Sequence, residues 1–182
     1  VIIATGGSPK LSGFDWLNNL QKNIVEPVPS LFTFNIPKDG ITQLMGVVAS
    51  NVTVRIQGTK IKHSGSLLIT HWGMSGPAVL KTSSFGARYL FDCNYNFNIQ
   101  INWTKFNEQE YQNIIADNKT SNRIVTNKNP FEIPARLWNF IVQKSQISES
   151  KKWNELSKKD TNKLLNHLIN DVYAVKGKTT FK

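Results

Sequence analysis

Between Asn96 and Trp103 the chain alternates strictly. Phe97, Ile99, Ile101 and Trp103 are apolar, and Asn96, Asn98, Gln100 and Asn102 are amides. Four apolar side chains on one face require a core, and four amides on the other require water, so this is a half-buried strand of an antiparallel sheet. The same period recurs where Val52, Val54 and Ile56 alternate with Asn51, Thr53, Arg55 and Gln57. Leu31–Ile36 is strand-like and ends in the turn cluster Pro37-Lys38-Asp39-Gly40. Gly58-Thr59 reads as a two-residue hairpin loop with Lys60–His63 returning from it, and Ser64-Gly65 as a further turn into Leu67-Leu68-Ile69. Short antiparallel strands joined by tight turns predict a small barrel or folded sheet.

After Trp103 the period changes to that of helices. Glu108–Asp117 carries Tyr111, Ile114 and Ile115 on one stripe, and a polar loop is expected over Asn118–Asn129. Pro134 opens a second helix whose buried stripe is Leu137, Trp138, Phe140 and Ile141. Lys151–Leu156 reads as a short helical turn. Ser157-Lys158-Lys159-Asp160 is then a capping box, with Asp in the Glu position, for a third helix bearing Leu164, Leu165, Leu168 and Ile169. Before the strands, Phe14, Leu17 and Leu20 recur at helical spacing, and Val1–Gly7 reads as a buried strand ending in a glycine turn. The expected class is α+β, with a small antiparallel β-barrel-like subdomain and a small all-α helical subdomain.

The 182 residues are 40% hydrophobic and 10% aromatic, enough for a packed domain rather than a disordered segment. No apolar run approaches the roughly 20 residues of a membrane helix. One cysteine, Cys93, excludes an internal disulfide and a multi-cysteine metal site. The histidines His63, His71 and His167 lack metal-ligand spacing, so no metal is expected. Twenty-two Lys and Arg against 12 Asp and Glu give a net charge of +10. A basic module for nucleic acid or a protein partner is the alternative function this charge raises, with Trp153 as a stacking residue among Lys151, Lys152, Lys158 and Lys159. The simpler account is a solvated helix face, since the chain carries no nucleic-acid-binding motif.

The stretch with most chemistry is Thr70-His71-Trp72-Gly73-Met74-Ser75-Gly76-Pro77, between an apolar strand and the helical pattern Ala78-Val79-Leu80. Pro77 suits the first turn of that helix, and the Ser75 hydroxyl is placed to cap it. A helix start of this kind offers N–H groups to an anion. His71 is the candidate proton donor or acceptor, because an imidazole changes charge near neutrality. A serine hydrolase is disfavoured. In Gly73-Met74-Ser75-Gly76-Pro77 the second glycine comes one place too early for a nucleophile elbow, and no acidic partner is assignable.

The run LLITHWGMSGPAVLK resembles the Thr-His-x-Gly-x-Ser-Gly-Pro signature of the HI0933-like (BaiN/YhiN-like) family of bacterial NAD(P)/FAD-dependent oxidoreductases. VIIATGGSPKLSG, EPVPSLFTF, LMGVVASNVTV and LNHLINDVYAVKGKTTFK resemble further family stretches, in order along the chain. The resemblance implies an insert domain of a flavoenzyme, shaping the substrate side of the flavin. The chain has no G-x-G-x-x-G of its own, so the insert alone is expected neither to bind FAD nor to catalyse. Residues 1–13 would be a remnant of the flavin-binding domain, 14–104 a short helix and the barrel, 105–171 the helical subdomain and 172–182 a strand returning to the barrel. In the full-length parent, Thr5, Gly6, Gly7, Gly73 and Gly76 are the implied cofactor contacts, and His71 and Ser75 the implied catalytic residues. The implied partners are the flavin-binding domain of the same polypeptide, NAD(P)H and a small-molecule substrate, in a cytoplasmic setting without membrane or nucleic acid.

Overall fold

The alternating segments become seven strands in the computed structural model, which describes every residue except 1, 3, 5, 7, 9, 19, 21–23 and 180–182. They are β1 (Thr33–Asn35), β2 (Val48–Ile56), β3 (Lys62–Thr70), β4 (Gly73–Ser75), β5 (Asn96–Asn102), β6 (Asp171–Lys176) and β7 (Lys178–Thr179). All pair antiparallel, in the order β6-β5-β2-β3-β4-β1-β7. The two outer members of that order are consecutive in the chain, separated by Gly177 alone. The Gly177 N–H donates to the Tyr95 carbonyl at 2.8 Å, beside β5, while its own carbonyl accepts from Asn35 of β1 at 3.1 Å. One segment therefore supplies both edges, and the sheet closes on itself without the free edges of an open sheet. The passage from one neighbour to the other bends the chain at a φ of +114°, which favours glycine.

The interior is filled by the residues that the alternation points inward. Val54, Ile56, Leu67, Ile69, Met74, Ile99, Ile101 and Val175 are fully buried. Strand β2 breaks its own period between Ala49 and Val52, where the register with β3 shifts and Asn51 takes φ +57°. This bulge lets Ala49 and Val52 both face the core, three residues apart. Two expected turns differ. The β2–β3 loop spans 57–60, with Ile56 N–H donating to Ile61 and Thr59 N–H to Ile56, so it is wider than the Gly58-Thr59 loop expected. Ser64-Gly65 is no turn, because β3 runs straight through it. Gly65 is glycine for packing: a Cβ there would stand 3.2 Å from the Ala78 nitrogen and 3.4 Å from the Pro77 side chain.

Those atoms belong to α2 (Pro77–Phe85), which lies across β3 and continues into α3 (Ala87–Asp92), a helix the sequence pattern did not reveal. Helix α1 (Asp15–Asn18) follows a 3₁₀ turn over Leu11–Phe14. Ile2, Ala4 and Gly6 of the expected first strand lie in no strand, and Ile2 is exposed.

The later helices are α4 (Glu108–Asn118), α5 (Ala135–Lys144) and α6 (Lys158–Ile169), with a 3₁₀ turn at Trp153–Glu155. Their buried faces belong to the same hydrophobic cluster as the barrel interior, running from Phe32 to Val175. The helices thus share one core with the sheet, and β6 already begins at Asp171, one residue before the expected boundary. Trp153 is fully buried, stacked on Trp138 at 6.1 Å with its indole N–H donated to Lys128 O. It is a core residue, unavailable for stacking on a base.

Candidate functional site at the hairpin corner

Strands β3 and β4 pair Thr70 with Gly73, which leaves His71-Trp72 as the two-residue tip of a hairpin. Three hydrogen bonds fix the tip. The Thr70 hydroxyl accepts from the Gly73 N–H at 3.1 Å, the Trp72 carbonyl from Ile36 N–H at 2.8 Å, and the Trp72 indole donates to the Thr33 hydroxyl at 3.2 Å. His71 stands exposed at the end of this frame, its ring edge-on to Trp72 at 4.4 Å.

The two glycines of the corner are set by its own backbone. A Cβ on Gly73, whose φ is +153°, would lie 2.1 Å from the Phe34 carbonyl oxygen. One on Gly76, at φ +94°, would lie 2.9 Å from Ser66 O and 3.0 Å from Leu68 N. The space a side chain would need is occupied by neighbouring strands, so the fold itself requires glycine at both positions. Of the other implied cofactor contacts, Gly6 lies in open space, where an added Cβ would meet nothing within 4 Å. Thr5 and Gly7 lie outside the described residues.

Ser75 departs from its expected role. It is the last residue of β4, paired with Leu68, and is 6% exposed. The N-cap of α2 is Gly76, which has no side chain to cap with. Pro77 lacks an N–H, and Ala78 and Val79, which follow it, are fully buried, with Ala78 N packed over Gly65. The first turn of α2 is therefore closed to an anion. Among the described residues no hydrogen bond joins His71 to Ser75, and of the two only His71 reaches the surface.

Beside the tip runs the segment Met45–Val48. Gly46 N–H donates to Ile69 O, Ile69 N–H to Val47 O, and Val48 pairs with Leu68 on the outer face. Met45 is 56% exposed and Val48 51%. The strand that leads to the His71 tip is thus flanked by two exposed apolar side chains, Met45 and Val48.

A second polar cluster lies at the junction of α6 and β6. Asp171 is 1% exposed and accepts from the Trp103 indole at 3.0 Å and from the Tyr173 hydroxyl. Lys144 of α5 and His167 of α6 also face it. Burial pushes the Asp171 carboxyl upward. The hydrogen bond from His167, the charge and hydrogen bond of Lys144 and the Tyr173 hydroxyl together outweigh that, leaving it below the usual aspartate value. Burial and the adjacent carboxylate hold the Tyr173 phenol well above its usual range. The signal available in the sequence is the four-residue spacing of His167 and Asp171 at a helix end. Among the described residues, no group of three His, Cys, Asp or Glu side chains forms a metal site. No described helix is long and apolar enough to cross a membrane.

Residues 28–182 match the family described as the HI0933-like protein barrel and H2TH domain. The chain belongs to that family. The match covers all seven strands of the HI0933-like barrel and helices α2–α6. No curated protein matches the chain.

Proposed function

We propose that this HI0933-like chain is the insert domain of a bacterial FAD-dependent oxidoreductase, and that it covers the substrate side of the flavin. The observation that carries the reading is the exposed imidazole of His71 on a rigid hairpin tip, with the exposed side chains of Met45 and Val48 along the strand that leads to it. Met45 and Val48 dock on the flavin-binding domain of the same polypeptide, and the tip faces the substrate. His71 gives or takes a proton there, and Trp72 fixes its position. Flavin, when bound in the parent, supplies the redox chemistry. The chain carries no dinucleotide fingerprint, which supports a flavin site built mainly by the flavin-binding domain.

Two measurements test this. The reading frame around these residues should encode a G-x-G-x-x-G segment ahead of Val1, and a frame without one sinks the flavoenzyme parentage. In the full-length enzyme, His71→Ala should slow turnover about a hundredfold, the scale of a lost general acid or base. Turnover at the parental rate removes His71 from the chemistry.

A further inference from the structure

On the outer wall of the barrel a cleft of about 400 Å³ lies between strands β2, β3 and β5, the start of α4 and the end of α6. Three cations line it, Arg55, Lys62 and Lys105, against one carboxylate, Glu108. Among the described residues none of the three cations enters a salt bridge. Arg55 and Lys62 are direct cross-strand partners in the β2–β3 register and project from the same face. Like charges held opposite each other in a sheet are destabilising unless something neutralises them. Here the neighbour of Arg55 on its other side is Gln100, a neutral amide.

The walls are already fixed. Gln100 donates to Asn170 across the junction of β5 and α6, and Asn102 holds the Phe106 carbonyl at 2.9 Å. These amides are engaged with one another or with backbone, and the charged donors of the cleft are Arg55, Lys62 and Lys105, the last with its ammonium 5.8 Å from the centre of the Phe106 ring. An arginine fork and two ammonium groups suit the oxygens of a phosphate, which takes the fork bidentate. The cleft falls within the size range of small-molecule sites and is larger than a phosphate alone requires.

We propose that this cleft binds a phosphorylated small molecule, with Arg55, Lys62 and Lys105 on its phosphate and the organic part against Phe106. A nucleic-acid strand fits less well. It needs exposed rings along a basic track, whereas Trp153 is buried, Lys151 is paired with Asp160 and Lys163 is bonded to Gln146.

The test is titration of the isotopically labelled 182-residue chain with pyrophosphate and with ADP at low salt, read from backbone amide shifts. Saturable shifts should centre on Arg55, Gln100 and Lys105, with ADP also moving Phe106. The double variant Arg55→Gln/Lys62→Gln should weaken binding at least about tenfold, a loss of about 1.4 kcal/mol. Its unliganded spectrum reports that the fold is kept. Lys158→Gln/Lys159→Gln should change affinity less than about twofold. Shifts that do not saturate, or equal losses in both double variants, would overturn the proposal in favour of diffuse charge. Tighter binding of a single-stranded oligonucleotide, with shifts running along α6, would overturn it in favour of a polynucleotide.

Discussion

The Lys144 ammonium lies 2.6 Å from Asp171 Oδ1, joining the last turn of α5 to the first residue of β6. The ammonium also sits 4.2 Å from the centre of the Tyr173 ring. With the indole of Trp103 and the phenol of Tyr173 on the same carboxylate, this pair pins the helices to the barrel end. Removing one side of a buried, multiply bonded charge costs more than the pair contributes, because the partners are left unpaired. Asp171→Ala should lower stability by about 3 kcal/mol or more, measured by denaturant unfolding. A loss below about 1 kcal/mol would show that the pair is incidental.

The same carboxylate sets an acid limb. Its folded pKa lies below the unfolded value, so its contribution is complete above the unfolded pKa, near about 4, and is lost as pH falls through the folded one. Thermal midpoints should therefore drop on acidification below about pH 4, and Asp171→Asn should flatten that limb. A variant limb as steep as the parental one would assign it to other carboxylates.

Gly73 and Gly46 separate two reasons for glycine. Both have positive φ, but a Cβ at Gly46 meets nothing within 4 Å, whereas at Gly73 it meets the Phe34 carbonyl at 2.1 Å. Gly46→Ala should cost about 1 kcal/mol, the backbone strain alone. Gly73→Ala should cost more than about 3 kcal/mol, since β1 and β4 must separate to admit it. Similar unfolding midpoints for the two variants would contradict the close approach of those strands.

What the sequence makes legible follows from locality. The alternation of Phe97 to Trp103 and the helical stripe of α5 are local periods; the alternation appears as read, while of the expected stripe Leu137, Trp138 and Ile141 are buried, Phe140 is only half-buried and Val142 joins them. Gly65 misleads because its reason lies in α2, a separate element that packs on it. Trp153 misleads similarly: flanking lysines imply an exposed ring, but Trp138 claims it for the core. At the site, the tight corner is visible from Gly73, Gly76 and Pro77. That Ser75 is buried while His71 is exposed depends on where β3 and β4 pair, which no local pattern specifies. Asp171 draws its partners from the end of β5, α5, α6 and β6, so its cluster exists only in the assembled fold.

The capping box of α6 is local, and it forms as its sequence requires. The Ser157 hydroxyl accepts from Asp160 N–H at 3.1 Å and donates to the Asp160 carboxylate at 2.8 Å, while that carboxylate accepts from Ser157 N–H at 3.1 Å. The bond from Ser157 is the main influence holding Asp160 below the usual aspartate range, with Lys151 assisting at 3.1 Å. Ser157→Ala should destabilise the chain by about 1 kcal/mol and return the Asp160 titration toward the ordinary value, followed by carboxyl shifts in NMR. An unmoved titration would show that Lys151 suffices.

The flavoenzyme reading also constrains the isolated chain. A dinucleotide cofactor needs a glycine-rich turn that brings backbone N–H groups onto its pyrophosphate at a helix start. Here the helix start at Pro77 is packed over Gly65, and the corner glycines are filled by backbone. The purified 182-residue chain should therefore be colourless and should not quench added FAD fluorescence in a saturable way. Restoring the parental flanking sequence should bring back a flavin absorption band. A yellow preparation of the chain alone would mean that these residues hold the cofactor themselves, and the site would have to be sought away from the hairpin corner.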